Sequence, residues 1–131
     1  PSIWDTFCKE DGRVFGNHNG DIACDHYHRY KEDIAIMKDL GVDSYRFSVS
    51  WPRIYPKKDF YNEKGMQFYK DVLSELKRQG ISAVITLYHW DLPQWVQDLG
   101  GFEVRETIDY IHEQHGQPNI QHSVLYLNAQ K

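Results

Sequence analysis

Three consecutive residues, His89, Trp90 and Asp91, stand where a strongly apolar run from Ile81 gives way to a turn at Leu92-Pro93. Together they could act on a neutral polar ligand. An imidazole donates to or accepts from a hydroxyl without ionising, an indole offers an apolar face with one N–H, and a carboxyl group could move a proton. Each also has a plainer reading. A strand-end histidine is an ordinary structural residue, a tryptophan an ordinary core residue, and Asp-Leu-Pro an ordinary turn and capping element. Arg46 lies in an alternating stretch and brings a permanent charge that needs a partner wherever it is buried. Cys24, Asp25, His26 and His28 are metal-ligand types, but two histidines two apart at a helix start point to different sides. His112 and His115 could share a helix face, yet no third ligand accompanies them. Ser48 and Ser50 lack a nucleophile-elbow context. No metal site and no serine hydrolase is expected.

The elements that would position these groups follow from hydrophobic spacing. Residues 1–23 read as a loop, since Asp11-Gly12, Gly16-Asn17 and Asn19-Gly20-Asp21 are turn formers and no apolar period persists between them. From Asp25, Tyr30, Ile34, Met37 and Leu40 recur at helical spacing, and Gly41 supplies the stop. Ser44 to Trp51 alternates, with Tyr45, Phe47, Val49 and Trp51 on one face of a strand and Ser44, Arg46, Ser48 and Ser50 on the other. Phe68, Val72, Leu73 and Leu76 mark a second helix ended by Gly80, and Ile81 to Trp90 a second strand. Strand, helix and strand make one β/α unit with parallel strands and a right-handed crossover. Chemistry is then expected in the loops after the strands, Ser50 to Tyr61 and His89 to Gln97. Glu103 to His115 is a helix candidate with Val104, Ile108 and Ile111 on one side, and Ser123 to Leu127 a short strand candidate.

Composition narrows the function classes. The chain has 131 residues, 40% hydrophobic and 15% aromatic, enough for one ordinary core. A formal charge of −4, from 15 basic residues scattered among 19 acidic ones, offers no basic stripe for nucleic acid. No apolar run is long enough for a membrane span, and Pro1-Ser-Ile-Trp-Asp does not resemble a signal peptide, so neither a membrane nor nucleic acid is an expected partner. A chain that begins at Pro1 leaves the cellular location open. Cys8 and Cys24 are too few for a disulfide scaffold; two free thiols are expected, with a single bridge as the alternative.

Four phrases in order resemble the β-glucosidases of glycoside hydrolase family 1: Pro1-Ser-Ile-Trp-Asp-Thr-Phe7, Asp21 to Asp33, Tyr45-Arg-Phe-Ser-Val-Ser-Trp-Pro-Arg53 and Thr86-Leu-Tyr-His-Trp-Asp-Leu-Pro-Gln94. With their spacers they cover residues 1 to about 102. The resemblance implies an α/β fold, a partial (β/α)8 TIM barrel. A whole barrel takes about 250 residues, so this chain would hold roughly the second and third units plus a divergent C-terminal segment. The expected domain is a single incomplete barrel over residues 1–131, family-like over 1–102, with a divergent helix and short strand over 103–131. It would be an N-terminal portion with an internal or C-terminal truncation. The family's early strand, with its sugar-binding glutamine, is expected upstream of Pro1.

The implied activity is retaining hydrolysis of β-glucosides or related sugars, without a cofactor. One carboxylic acid protonates the leaving oxygen while a carboxylate about 5 Å away attacks the anomeric carbon. The family carries these in a Thr-Phe-Asn-Glu-Pro and a Thr-Glu-Asn-Gly phrase, and neither occurs in this chain. Thr107 to Asn119 resembles, through Asp109-Tyr-Ile and Gly116-Gln-Pro, the family helix that leads into the nucleophile strand. By position in the matched phrases, His89 and Trp90 are the implied sugar-binding residues. Arg46 matches the arginine that supports the nucleophile in the whole enzyme, and would lack that partner here. No catalytic residue is expected. Three outcomes fit: an inactive fragment of β-glucosidase lineage, a non-catalytic binding or regulatory module that keeps weak sugar affinity through His89 and Trp90 or pairs with a complementary barrel fragment, or a truncated product without a function.

Overall fold

A computed structural model describes residues 1–101 and 127–128. Two parallel strands and two long helices carry its organisation. β1 (Ser44–Ser48) pairs in parallel with β2 (Ser82–Thr86), with Ser44 beside Ser82 and Ser48 beside Thr86. The pairing continues past both ends, where the Ser82 N–H donates to the Asp43 carbonyl at 2.9 Å and the Val49 N–H to the Thr86 carbonyl at 2.9 Å. α2 (His26–Asp39) precedes β1, and α4 (Glu63–Gln79) connects β1 to β2. Gly41 and Gly80 end these helices with φ near +74°, a conformation that glycine adopts without a Cβ penalty.

Strand alternation sends Tyr45, Phe47 and Ala83 to the helical side. They pack there against the buried cluster Ile34, Ile54, Phe68, Tyr69, Val72, Leu76 and Ile81. Ile34 and Leu76 are completely buried. Each such aliphatic side chain contributes about 1.5–3 kcal/mol through burial, so α2, α4 and the strand pair hold one another. A short helical turn, α3 (Trp51–Ile54), follows β1 and is pinned under α4. The Arg53 guanidinium lies 4.7 Å from the ring centres of both Tyr27 and Phe68, and the Asn62 side-chain amide donates to the Arg53 carbonyl at 2.8 Å. Gly65 allows this approach, because a Cβ there would sit 2.2 Å from the Arg53 carbonyl oxygen.

Three sequence expectations need correction. Residues 1–23 are not all loop: α1 (Ile3–Lys9) carries a capping box, in which the Ser2 hydroxyl accepts from the Asp5 N–H while the Asp5 carboxylate accepts from the Ser2 N–H. A 3-10 turn follows at Phe15–Asn17. The alternating segment ends as a strand at Ser48, and Trp51 belongs to α3, its indole donating to the Leu87 carbonyl at 2.7 Å. The second strand is also shorter than Ile81 to Trp90, stopping at Thr86.

The helix candidate at Glu103 to His115 lies outside the described residues. Of the candidate Ser123 to Leu127, only the last residue is described, in β3 (Leu127–Asn128). β3 runs antiparallel beside β2, with Leu127 opposite Ile85, and so departs from the all-parallel order of a β/α barrel. Cys8 and Cys24 are both free thiols. Among the described residues, no helix is long and apolar enough to cross a membrane.

Candidate functional site

The face of the strand pair turned away from the helices is polar. Arg46, Ser48 and Thr86 lie on it, by the register that sets Arg46 beside Val84 and Ser48 beside Thr86. Arg46 was expected to be an unpaired and unfavourable charge. It is instead exposed to solvent, which removes the burial penalty, and its Nε donates to the Thr86 hydroxyl at 3.0 Å. Thr86 is 1% exposed and closes β2, so this bond ties the arginine to the strand from whose end His89 and Trp90 emerge. Among the described residues, no hydrogen bond or ion pair joins Arg46 to His89 or Trp90.

His89 and Trp90 both stand exposed in the turn between β2 and α5 (Gln94–Asp98). Trp90 is 69% exposed and has φ +69°, an uncommon conformation for a bulky residue. The other three tryptophans use their indole N–H groups to hold backbone. Trp4 donates to the Trp90 carbonyl at 2.6 Å, Trp51 to Leu87, and Trp95 to the Tyr55 carbonyl at 2.8 Å. The Trp90 indole has no such partner among the described residues, and its ring lies 6.5 Å from that of Tyr88. It is the tryptophan left available to a ligand.

The turn is gripped from the N-terminal side. Besides the Trp4 bond, the Ile3 N–H donates to the Leu92 carbonyl at 2.8 Å and the Gln94 N–H to the Pro1 carbonyl at 2.9 Å. Asp91 is half-buried below it. Burial raises the pKa of this carboxyl above the usual aspartate range, against the opposing pull of the Ser50 hydroxyl, the backbone N–H groups of Asp91 and His89, and the His89 ring. Its Oδ1 is buried and has no hydrogen-bond partner among the described residues. The Tyr69 hydroxyl accepts from the Ser50 N–H at 2.7 Å, and burial pushes that phenol upward as well. Thr86, Ser50 and Trp4 were not singled out from sequence as parts of this site. Only the serine–aspartate spacing of the capping box at Ser2 could have flagged the N-terminal grip.

The rival cluster separates. His26 Nδ1 lies 2.6 Å from Asp33, beside the rings of Tyr45 and Phe68, whereas His28 Nδ1 lies 2.7 Å from Asp25 on the solvent side. Each imidazole is engaged with its own carboxylate, and among the described residues no group of three such side chains converges to hold a metal.

The chain that carries Arg46 on β1 and His89 and Trp90 beyond the end of β2 matches the model of glycosyl hydrolase family 1 over residues 1–116. The chain belongs to this family. It is 56% identical to Beta-glucosidase A of Acetivibrio thermocellus over 113 residues, which are 86% of this chain and 25% of that protein. A β-glucosidase from Exiguobacterium marinum superposes with a TM-score of 0.78 at 57% identity, covering 86% of this chain and 26% of the other. The Thermotoga maritima β-glucosidase solved with deoxynojirimycin gives 0.79 at 49% identity, with 86% and 26% covered. The chain therefore spans about a quarter of the length of these relatives and is a partial piece of their barrel.

Proposed function

We propose that these 131 residues form the second and third units of a family 1 barrel and carry part of its sugar-binding rim, without hydrolysing glycosides themselves. The carrying observation is a family match over residues 1–116 in a chain that contains neither catalytic glutamate phrase. Retaining hydrolysis needs an acid and a nucleophile facing one anomeric carbon, and one without the other cannot complete both steps. In this reading His89 hydrogen-bonds a sugar hydroxyl, Trp90 offers its ring and N–H to the sugar, and Arg46 awaits a nucleophile that another part of the barrel would supply. A relative solved with deoxynojirimycin supports a sugar-like ligand class for this scaffold. Titrating the chain with glucose while following the Trp90 indole signal by NMR tests it. A saturable shift, weakened by His89→Ala, is expected. No shift up to molar glucose would refute the rim assignment.

A second reading, pairing with a complementary barrel fragment, is favoured by the outer edge of β1. Among the described residues no strand pairs there, and a hollow of about 540 Å³ opens beside it, lined by Met37, Tyr45, Phe47, Phe68, Tyr69 and Val72 among others. Unpaired edges and uncovered apolar surface invite another chain. Mixing this chain with an A. thermocellus Beta-glucosidase A that lacks the matching segment should restore aryl-glucoside hydrolysis. Two inactive pieces that stay inactive and separate on size exclusion would exclude this pairing.

A further inference from the structure

We propose that the hollow beside the outer edge of β1 is a binding site for an aryl carboxylate, a flat aromatic ring bearing one carboxylate, with the Arg53 guanidinium as its anchor. The site lies on the helical side of β1, where Tyr45 and Phe47 pack, whereas Arg46 lies on the opposite face. The inference therefore stands apart from the sugar reading of the rim.

The charge comes first. Arg13, Arg29 and Arg78 pair with Glu10, Glu32 and Glu75, and Arg46 is exposed to water. Arg53 is partly buried, lines the hollow and pairs with no carboxylate among the described residues. Its guanidinium lies against rings instead, 4.7 Å from the centres of Tyr27 and Phe68 and 5.8 Å from that of Tyr69. Ring faces attract a cation without neutralising it. A guanidinium drawn partly out of water therefore favours an anion that its planar fork can grip through two N–H groups. Burial raises the Tyr69 phenol and the Arg53 charge opposes that rise, so the charge is felt at a wall of the hollow. The carboxylate on the lining, Asp33, is already engaged by the His26 Nδ1 at 2.6 Å.

The walls select the rest of the ligand. The Phe47 and Tyr69 rings are nearly parallel, at 3° with 6.4 Å between centres, and Tyr45 stacks on Phe47 at 5.5 Å. Such a row of rings receives a flat aromatic body. The volume of about 540 Å³ falls within the range of about 300–1,000 Å³ that holds small ligands. A phosphate dianion fits less well. It would bring two charges to one guanidinium, face Asp33, and set its remaining oxygens against Phe47, Phe68 and Val72. A neutral sugar meets the same apolar walls with its hydroxyls and leaves the guanidinium without a counter-charge.

Titrating the 131-residue chain with sodium benzoate at constant ionic strength tests the proposal, with NMR following the Arg53 side-chain N–H and the Tyr45 and Tyr69 rings. A saturable shift of these signals is expected, with the Trp90 indole unmoved. Benzamide keeps the ring and loses the charge, and acetate keeps the charge and loses the ring. Each should bind at least about tenfold more weakly than benzoate. Arg53→Met, which retains an apolar stem, should weaken benzoate by about tenfold and leave benzamide unchanged. If that variant does not fold, the three ligands on the parent chain decide alone. Benzamide or acetate binding as tightly as benzoate, or a benzoate shift centred on Trp90, would overturn the assignment. A hollow that serves only a complementary barrel fragment would leave every signal unmoved by benzoate. That result refutes this site and leaves the fragment pairing, read by restored hydrolysis, untouched.

Discussion

The two faces of the β1–β2 pair are built from the same ten residues and do opposite work. On the helical face, Tyr45, Phe47 and Ala83 join a cluster that includes the fully buried Ile34 and Leu76. On the other, Arg46 meets the described residues through one hydrogen bond to Thr86, and the rim beyond it is exposed. The difference teaches that the fold's stability and its proposed ligand chemistry lie on separate surfaces. Substitutions on the first should register in unfolding and on the second in binding.

The largest expected effect is at Leu76. Leu76→Ala removes a fully buried side chain from the helical face and should lower the unfolding free energy by about 2–5 kcal/mol, read by urea denaturation. A loss below 1 kcal/mol would mean that the cluster does not carry the fold.

Gly65→Ala comes next. The new Cβ meets the Arg53 carbonyl, so the α3–α4 junction must shift, at a net cost of about 1–3 kcal/mol despite the better helix propensity of alanine. A raised melting temperature would contradict that close approach.

At the boundary between the faces, Asp91 gives a pH signature. Its folded-state pKa is raised, so it adds stability that is full below the unfolded aspartate pKa and is lost as pH rises through the folded one. Asp91→Asn, which cannot ionise, should therefore gain on the parent as pH rises toward neutrality, read as the difference between their melting temperatures. A gap that shrinks with rising pH would reverse the assignment.

The smallest effect belongs to the polar face. Arg46→Met should change stability by less than about 0.5 kcal/mol, because the residue is exposed and holds a single bond among the described residues. A loss several times larger would show that Arg46 is structural and blur the separation of the two faces.

The same separation explains what could be read from the chain before its structure. Periodicity found α2, α4 and the parallel strands because those elements are held by repeated apolar contacts at Ile34, Phe68, Val72 and Leu76. It missed α1, whose short span is set by one polar capping box instead of an apolar stripe. It overran both strands, because Trp51 and Leu87 continue an apolar pattern while their backbone turns away and is joined by the Trp51 indole. His89, Trp90 and Arg46 were legible as types and through the motif resemblance. The supports of the rim, Trp4 and Thr86, were not, since they act through bonds between residues 86 and 40 positions apart and leave no local spacing.

The central claim, a sugar rim on a scaffold that lacks the catalytic pair, is tested most directly by incubating the purified chain alone with an aryl β-glucoside. Release of the phenol at the rate of the blank is the predicted result. Release well above the blank that disappears in His89→Ala would place a working carboxylate pair within these 131 residues and contradict it.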